Sequence, residues 1–108
     1  AVAKEKIKNA VILAGIGSVT QSSFHLPVTK TFPPKDEMFG GNEVVDVISA
    51  NGYVIGGRVH AHVTFSDKNR AVGGHLEPGS KVYTFIAITL GVLDDKVDLS
   101  KIDSWQWR

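Results

Sequence analysis

From Gly57 to Gly79 the chain reads GRVHAHVTFSDKNRAVGGHLEPG, and its apolar and polar positions alternate. Val59, Ala61, Val63 and Phe65 share one parity; Arg58, His60, His62, Thr64 and Ser66 share the other. A period of two predicts a strand with one buried face. The polar group Asp67-Lys68-Asn69-Arg70 is the natural turn, and Ala71 to Leu76 is the returning strand. If Ser66 pairs with Ala71, His62 falls opposite His75 and His60 opposite Glu77. The same register sets Phe65 against Val72, Ala61 against Leu76 and Val63 against Gly74. No charged residue then lands on the apolar face, whereas a slip by one position would exchange the faces.

Elsewhere the pattern is less regular. Ala10 to Gly15 is a short apolar run that predicts a buried strand, followed by a tight turn at Gly15-Ile16-Gly17. Ser18 to Asp36 shows no period and contains Pro27, Pro33 and Pro34, which predicts a strand fragment and a long loop. Glu43 to Ser49 reads as a strand leading to a hairpin turn at Asn51-Gly52. Tyr53 to Ser66 reads as a strand interrupted near Gly56-Gly57. Lys81 to Leu93 is the longest β-rich run. The tail has a short helical stretch near Leu99 to Asp103, and Trp105 and Trp107 alternate as in an edge strand. At the start, Val2, Ala3 and Ile7 are helically spaced and Lys4, Lys6 and Lys8 suit a helix C-terminus. Ala1 to Asn9 therefore reads as the end of a helix whose beginning is absent. The expected architecture is a single α+β domain over residues 1–108, a mostly antiparallel sheet with one main helix.

Composition narrows the function. The 108 residues carry 12 Lys+Arg against 11 Asp+Glu, a formal net charge of +1, and no cysteine. Disulfides, thiolate metal sites and Cys nucleophiles are thereby excluded. The near-neutral balance argues against a strong nucleic-acid binder. No run of about 18 apolar residues exists to span a membrane as a helix. No signal peptide is visible, so a cytoplasmic location is expected. A chain of this size buries only roughly two-thirds of its unfolded surface, so association would add to its stability.

The predicted hairpin brings His60, His62 and His75 to one patch. Directly paired residues have Cβ atoms roughly 5 Å apart, and imidazoles on such positions can reach a common ion at about 2.0–2.1 Å. Three neutral histidines with an open fourth position make a zinc site of the catalytic type. The competing account is a solvated polar strand face, which two histidines at i, i+2 often are. Glu77 is placed to orient His60 or to act as a base, and is otherwise a surface carboxylate in a Glu-Pro-Gly turn. His25, in Ser-Phe-His-Leu-Pro, has no visible partner and reads as a loop residue. The Gly15-Ile16-Gly17 pair lacks the third glycine of a dinucleotide fingerprint. The tail aspartates Asp94, Asp95, Asp98 and Asp103 lack calcium-loop spacing.

Four segments together resemble the PPC (plants and prokaryotes conserved) domain. They are Gly15-Ile16-Gly17-Ser18-Val19, Val45 to Gly52 (VDVISANG), the H-x-H of His60 and His62, and Gly73-Gly74-His75-Leu76. The resemblance runs to about Leu93. Asp46 stands where that family usually shows Glu, and the family's opening strands are not present. The resemblance implies a homotrimer and a divalent metal, zinc by ligand type, at His60, His62 and His75. It also implies a fold similar to that of acetolactate decarboxylase, a fold-level analogy that names no substrate. Members are commonly labelled DNA-binding, and DNA is the alternative partner. This chain has no Arg-Gly-Arg-Pro hook, and its basic cluster is limited to Lys4, Lys6 and Lys8.

Overall fold

The computed structural model describes Val2 and residues 4–106. Six strands and one short helix follow one another: β1 (Ala10–Pro27), β2 (Asp36–Gly41), β3 (Val45–Ile55), β4 (Arg58–Ser66), β5 (Ala71–Leu76), β6 (Lys81–Val92) and α1 (Ser100–Ser104). All strand pairings are antiparallel. The result is an α+β fold, mostly antiparallel sheet with one helix.

β4 and β5 form the hairpin that the alternation predicts, with Ser66 opposite Ala71, Phe65 opposite Val72, Val63 opposite Gly74 and His62 opposite His75. The turn does not need glycine because Asp67 closes it. Its Oδ1 accepts hydrogen bonds from the backbone N–H of Asn69 at 2.8 Å and of Arg70 at 3.0 Å. Such a side-chain-capped turn is a favoured use of Asp, and the two bonds hold its carboxyl below the usual carboxylate range. Ala61, Val63 and Phe65 are buried, as their shared face requires, while Val59 is exposed where β4 leaves the core.

β1 departs most from the sequence reading. No tight turn forms at Gly15-Ile16-Gly17; the strand runs straight through and on to Pro27, so His25 lies in a strand and not in a loop. Its first half lies between β3 and β6, and its second half between β2 and β5. Three register shifts against β6, between Ile12 and Ala14, Gly17 and Val19, and Val19 and Gln21, explain the missing period. The first and third put an extra residue in β1, and each reverses which β1 parity faces the core; the second puts two extra residues in β6.

β3 likewise continues through Asn51-Gly52, and the β3–β4 turn falls at Gly56-Gly57. These two residues have φ of 56° and 86°, the consecutive positive values that a two-residue primed turn demands. At the N-terminus the expected helix is absent among the described residues, with Lys4 to Lys6 in a turn. Lys6 has φ of 55°, which a right-handed helix does not accommodate; Ala1 and Ala3 lie outside the described residues. The helix is α1, in the tail. Trp105 ends α1 in the left-handed conformation and meets Phe32 edge-on at 5.2 Å, so it belongs to no edge strand. Trp107 lies outside the described residues.

Pairing of β5 with β1 at Phe24 and His25 closes the path β1-β3-β4-β5 into a ring. Ile12, Val19, Phe24, Val45, Val47, Ala50, Ala61, Val63 and Phe65 fill it. Phe24 stands 6.0 Å from Phe65 and 5.9 Å from Phe39, ring centre to ring centre. β6 lies outside the ring, paired to β1. Its Val82, Tyr83, Phe85, Ile88 and Val92 are exposed, an apolar strand with little of this chain to cover it. No helix among the described residues is long and apolar enough to cross a membrane.

Candidate metal centre

Three neighbouring strands carry histidines in one register row. His62 on β4 pairs with His75 on β5, and His75 pairs in turn with His25 on β1. His60 stands two residues before His62, on the same strand face. All four histidines of the chain are therefore collected on one polar patch. Gly73 and Gly74 permit the close strand approach beside it. A Cβ on Gly73 would lie 2.0 Å from the Val63 carbonyl oxygen, and one on Gly74 would lie 2.6 Å from that of His25. Neither separation is possible for a real side chain, so any larger residue would push β5 away from β4 or β1.

The rings of His60 and His75 are 4.5 Å apart, those of His62 and His75 5.5 Å, and those of His60 and His62 5.6 Å. One ligand nitrogen from each of the three lies within 4.8 Å of the other two. His60 and His75 are partly buried and His62 is exposed, so the cluster opens to solvent. The pKa values of His62 and His75 are lowered, first by partial desolvation of the rings against the strands and then by neighbouring histidines; for His75 these include His60, His25 and His62, opposed by Glu77. Both imidazoles are thereby kept neutral at pH 7, the state in which they can donate a lone pair to a metal.

Glu77 does not face His60 as the hairpin register suggests. β5 ends at Leu76, and the Glu77 N–H donates to the Ser23 carbonyl oxygen at 3.0 Å. This turns Glu77 towards β1, where its Oε1 contacts His25 Nδ1. The carboxylate behind His60 comes instead from α1: Asp103 Oδ1 stands 2.7 Å from His60 Nδ1, and its Oδ2 accepts from Arg58. Asn9 anchors the tail that delivers Asp103. It is buried, and its amide donates to the carbonyl oxygens of Asp94, Asp95 and Val97 at 3.3, 3.4 and 2.8 Å.

The Asp103 carboxyl is held below the usual carboxylate range, chiefly by the hydrogen bond from His60 and then by that from Arg58. A carboxyl lowered on folding stabilises the folded state above its unfolded pKa. That contribution disappears as pH falls through the lowered folded value. At neutral pH Asp103 therefore fixes Nδ1 of His60 and leaves Nε2 for a ligand, the usual arrangement behind a metal-bound histidine. Asp103→Asn is expected to weaken zinc binding about 10- to 100-fold, read by competition with a chromogenic chelator, with no change in the far-UV circular dichroism spectrum.

Beside His60 and His62 an open groove of about 410 Å³ is lined by Val11, Ile12, Asn51, Gly52, Tyr53 and Ile102. A volume of this order suits a small molecule. The histidines and Asn51 supply its polar lining, and the rest is largely apolar. His25 and Asp103 are the residues that sequence reasoning missed. Neither has a local signal, since Asp103 lies 43 positions from His60 and His25 lies 52 from Glu77.

A profile of the Plants and Prokaryotes Conserved (PCC) domain matches residues 1–94. Over 88 residues the chain is 26% identical to the bifunctional protein GlmU of Synechococcus sp. (strain JA-3-3Ab), covering 81% of this chain and 13% of that protein. The structure of a proposed DNA-binding protein from Ralstonia eutropha JMP134 is similar, with a TM-score of 0.71 at 25% identity, over 90% of this chain and 68% of that one. A metal-containing protein from Archaeoglobus fulgidus gives a TM-score of 0.63 at 18% identity, over 82% and 63%. At that identity the likeness concerns the fold. The chain spans a small part of the curated relative's length and less than two thirds of the Archaeoglobus protein's.

Proposed function

This chain belongs to the Plants and Prokaryotes Conserved domain family, and on that premise we propose that it is a metal-binding member working as a homotrimer. The observation that carries the metal is the meeting of His60, His62 and His75 within ligand reach, with a carboxylate fixing the His60 ring. Zinc is the ion we assign, because neutral imidazoles at an open site suit it. The Archaeoglobus relative's description as metal-containing agrees with this reading. When bound, such an ion supplies Lewis-acid polarisation of an oxygen on a small ligand. The chain's own part is to hold that ligand: Asn51 towards its polar portion, and Val11, Ile12, Tyr53 and Ile102 against its apolar portion. The fold analogy to acetolactate decarboxylase is compatible with a lyase-like use of the site, with the substrate left open.

The trimer is supported by β6. Its exposed Val82, Tyr83, Phe85, Ile88 and Val92 form a run of apolar side chains along a strand with one open edge, a surface that isolated soluble domains rarely leave bare. Native mass spectrometry of untagged, dialysed protein tests both parts at once. The expected species is three chains that each retain one tightly held zinc after dialysis, and for His62→Ala a trimer that has lost that tightly held ion. A zinc-free wild type, even after incubation with zinc chloride, overturns the metal reading; a monomer overturns the trimer.

The Ralstonia relative's description favours a second reading, DNA binding. A net charge of +1 gives it little electrostatic support in the single chain. Duplex affinity that falls steeply with salt and survives His62→Ala would favour it over the metal reading.

A further inference from the structure

The donors around His75 divide into two triads. The second consists of His25, His75 and Glu77, again with one ligand atom from each within 4.8 Å of the others. Two ligands of one zinc ion, each at about 2.1 Å, stand at most about 4.2 Å apart. One ion with small side-chain adjustments can therefore satisfy either triad, but His25 and Glu77 do not join His60 and His62 in a single set. We propose that the cluster holds a second divalent transition-metal ion between His25, Glu77 and His75, beside the first and sharing His75 with it.

Three observations support the second position. His25, like His60, has an aspartate behind its ring, though more loosely held. Its Nε2 lies 3.6 Å from Asp36 Oδ2, within ion-pair range, while Nδ1 faces Glu77. Each triad thus has one histidine with an aspartate behind one nitrogen and the other nitrogen turned inwards. A second ion would displace a proton from the His25 Nδ1–Glu77 contact and release it to solvent. Second, His75, with two ring nitrogens, is common to both triads; as a bridge it would bind as the imidazolate, its one N–H proton released to solvent when the second ion enters. Third, carboxylates offset part of the charge. Asp36, Glu77 and Asp103 stand around the four histidines, so two divalent ions are not left in an all-neutral site.

The second position rests on the three-histidine reading only through His75, and calorimetric titration with zinc chloride separates the two. Untagged, metal-stripped protein is expected to take up two zinc ions per chain in two steps, the tighter one at His60, His62 and His75. His25→Ala and Glu77→Gln should each lose one of the two equivalents and keep the tight step. His62→Ala should lose the tight step and keep the weaker one. Far-UV circular dichroism checks that each variant is folded, and Glu77→Gln, nearly isosteric, stands in should His25→Ala not fold. Saturation of the wild type at one ion per chain overturns the proposal, as does a second equivalent that persists in both His25→Ala and Glu77→Gln. A missing tight step with a His25-dependent step still present would overturn the three-histidine reading and support the second position.

Discussion

Replacing His75 with alanine is expected to remove specific zinc binding. His75 is the one residue common to both donor triads, and it lies at the centre of the row formed by His62, His75 and His25. Removing a carboxylate behind a ligand histidine costs about 10- to 100-fold in affinity. Removing a direct ligand shared by every arrangement should exceed that, so a loss of more than about 100-fold is expected. The fold should survive, because His75 is only partly buried on the polar face and its strand is held by the ladders to β4 and β1. Chelator competition beside a thermal melt in the absence of metal reads both. Retained binding within about tenfold of wild type would contradict the site.

Phe65→Ala is expected to destabilise the fold by about 3–5 kcal/mol. Phe65 is 1% exposed, pairs with Val47 and Val72 on either side, and meets Phe24 across the core. It is thus a contact between β4 and β1, the two strands that must stay together for His60, His62 and His25 to share a patch. Single domains are stable by only about 5–15 kcal/mol, so the variant should lose a large part of its stability in urea. A loss below about 1 kcal/mol would mean that the ring of strands is not held as described.

The part of the site on β4 and β5 is legible in the sequence for a physical reason. Val59 to Ser66 alternates without a bulge, Asp67 supplies its own turn, and only one register keeps charge off the apolar face. The face partition of His60 and His62 and the pairing of His62 with His75 follow from those three facts. β1 is not legible, because two bulges reverse its parity and its two halves border different strands. His25 was hidden by the same cause. Asn51-Gly52 carries a strong local turn signal, yet the chain turns at Gly56-Gly57, where two adjacent residues have the positive φ that the turn requires. Asp103 is a purely tertiary contribution: no spacing rule links a tail helix to a strand 43 positions earlier. Glu77, placed opposite His60 by simple extension of the hairpin, turns away because its N–H bonds to Ser23 on β1.

The most direct test of the account is anomalous diffraction at the zinc absorption edge from crystals of the zinc-loaded protein. The account predicts a peak about 2.0–2.1 Å from one ring nitrogen of each of His60, His62 and His75. Stoichiometric zinc in the crystals with no peak among these three histidines would contradict it.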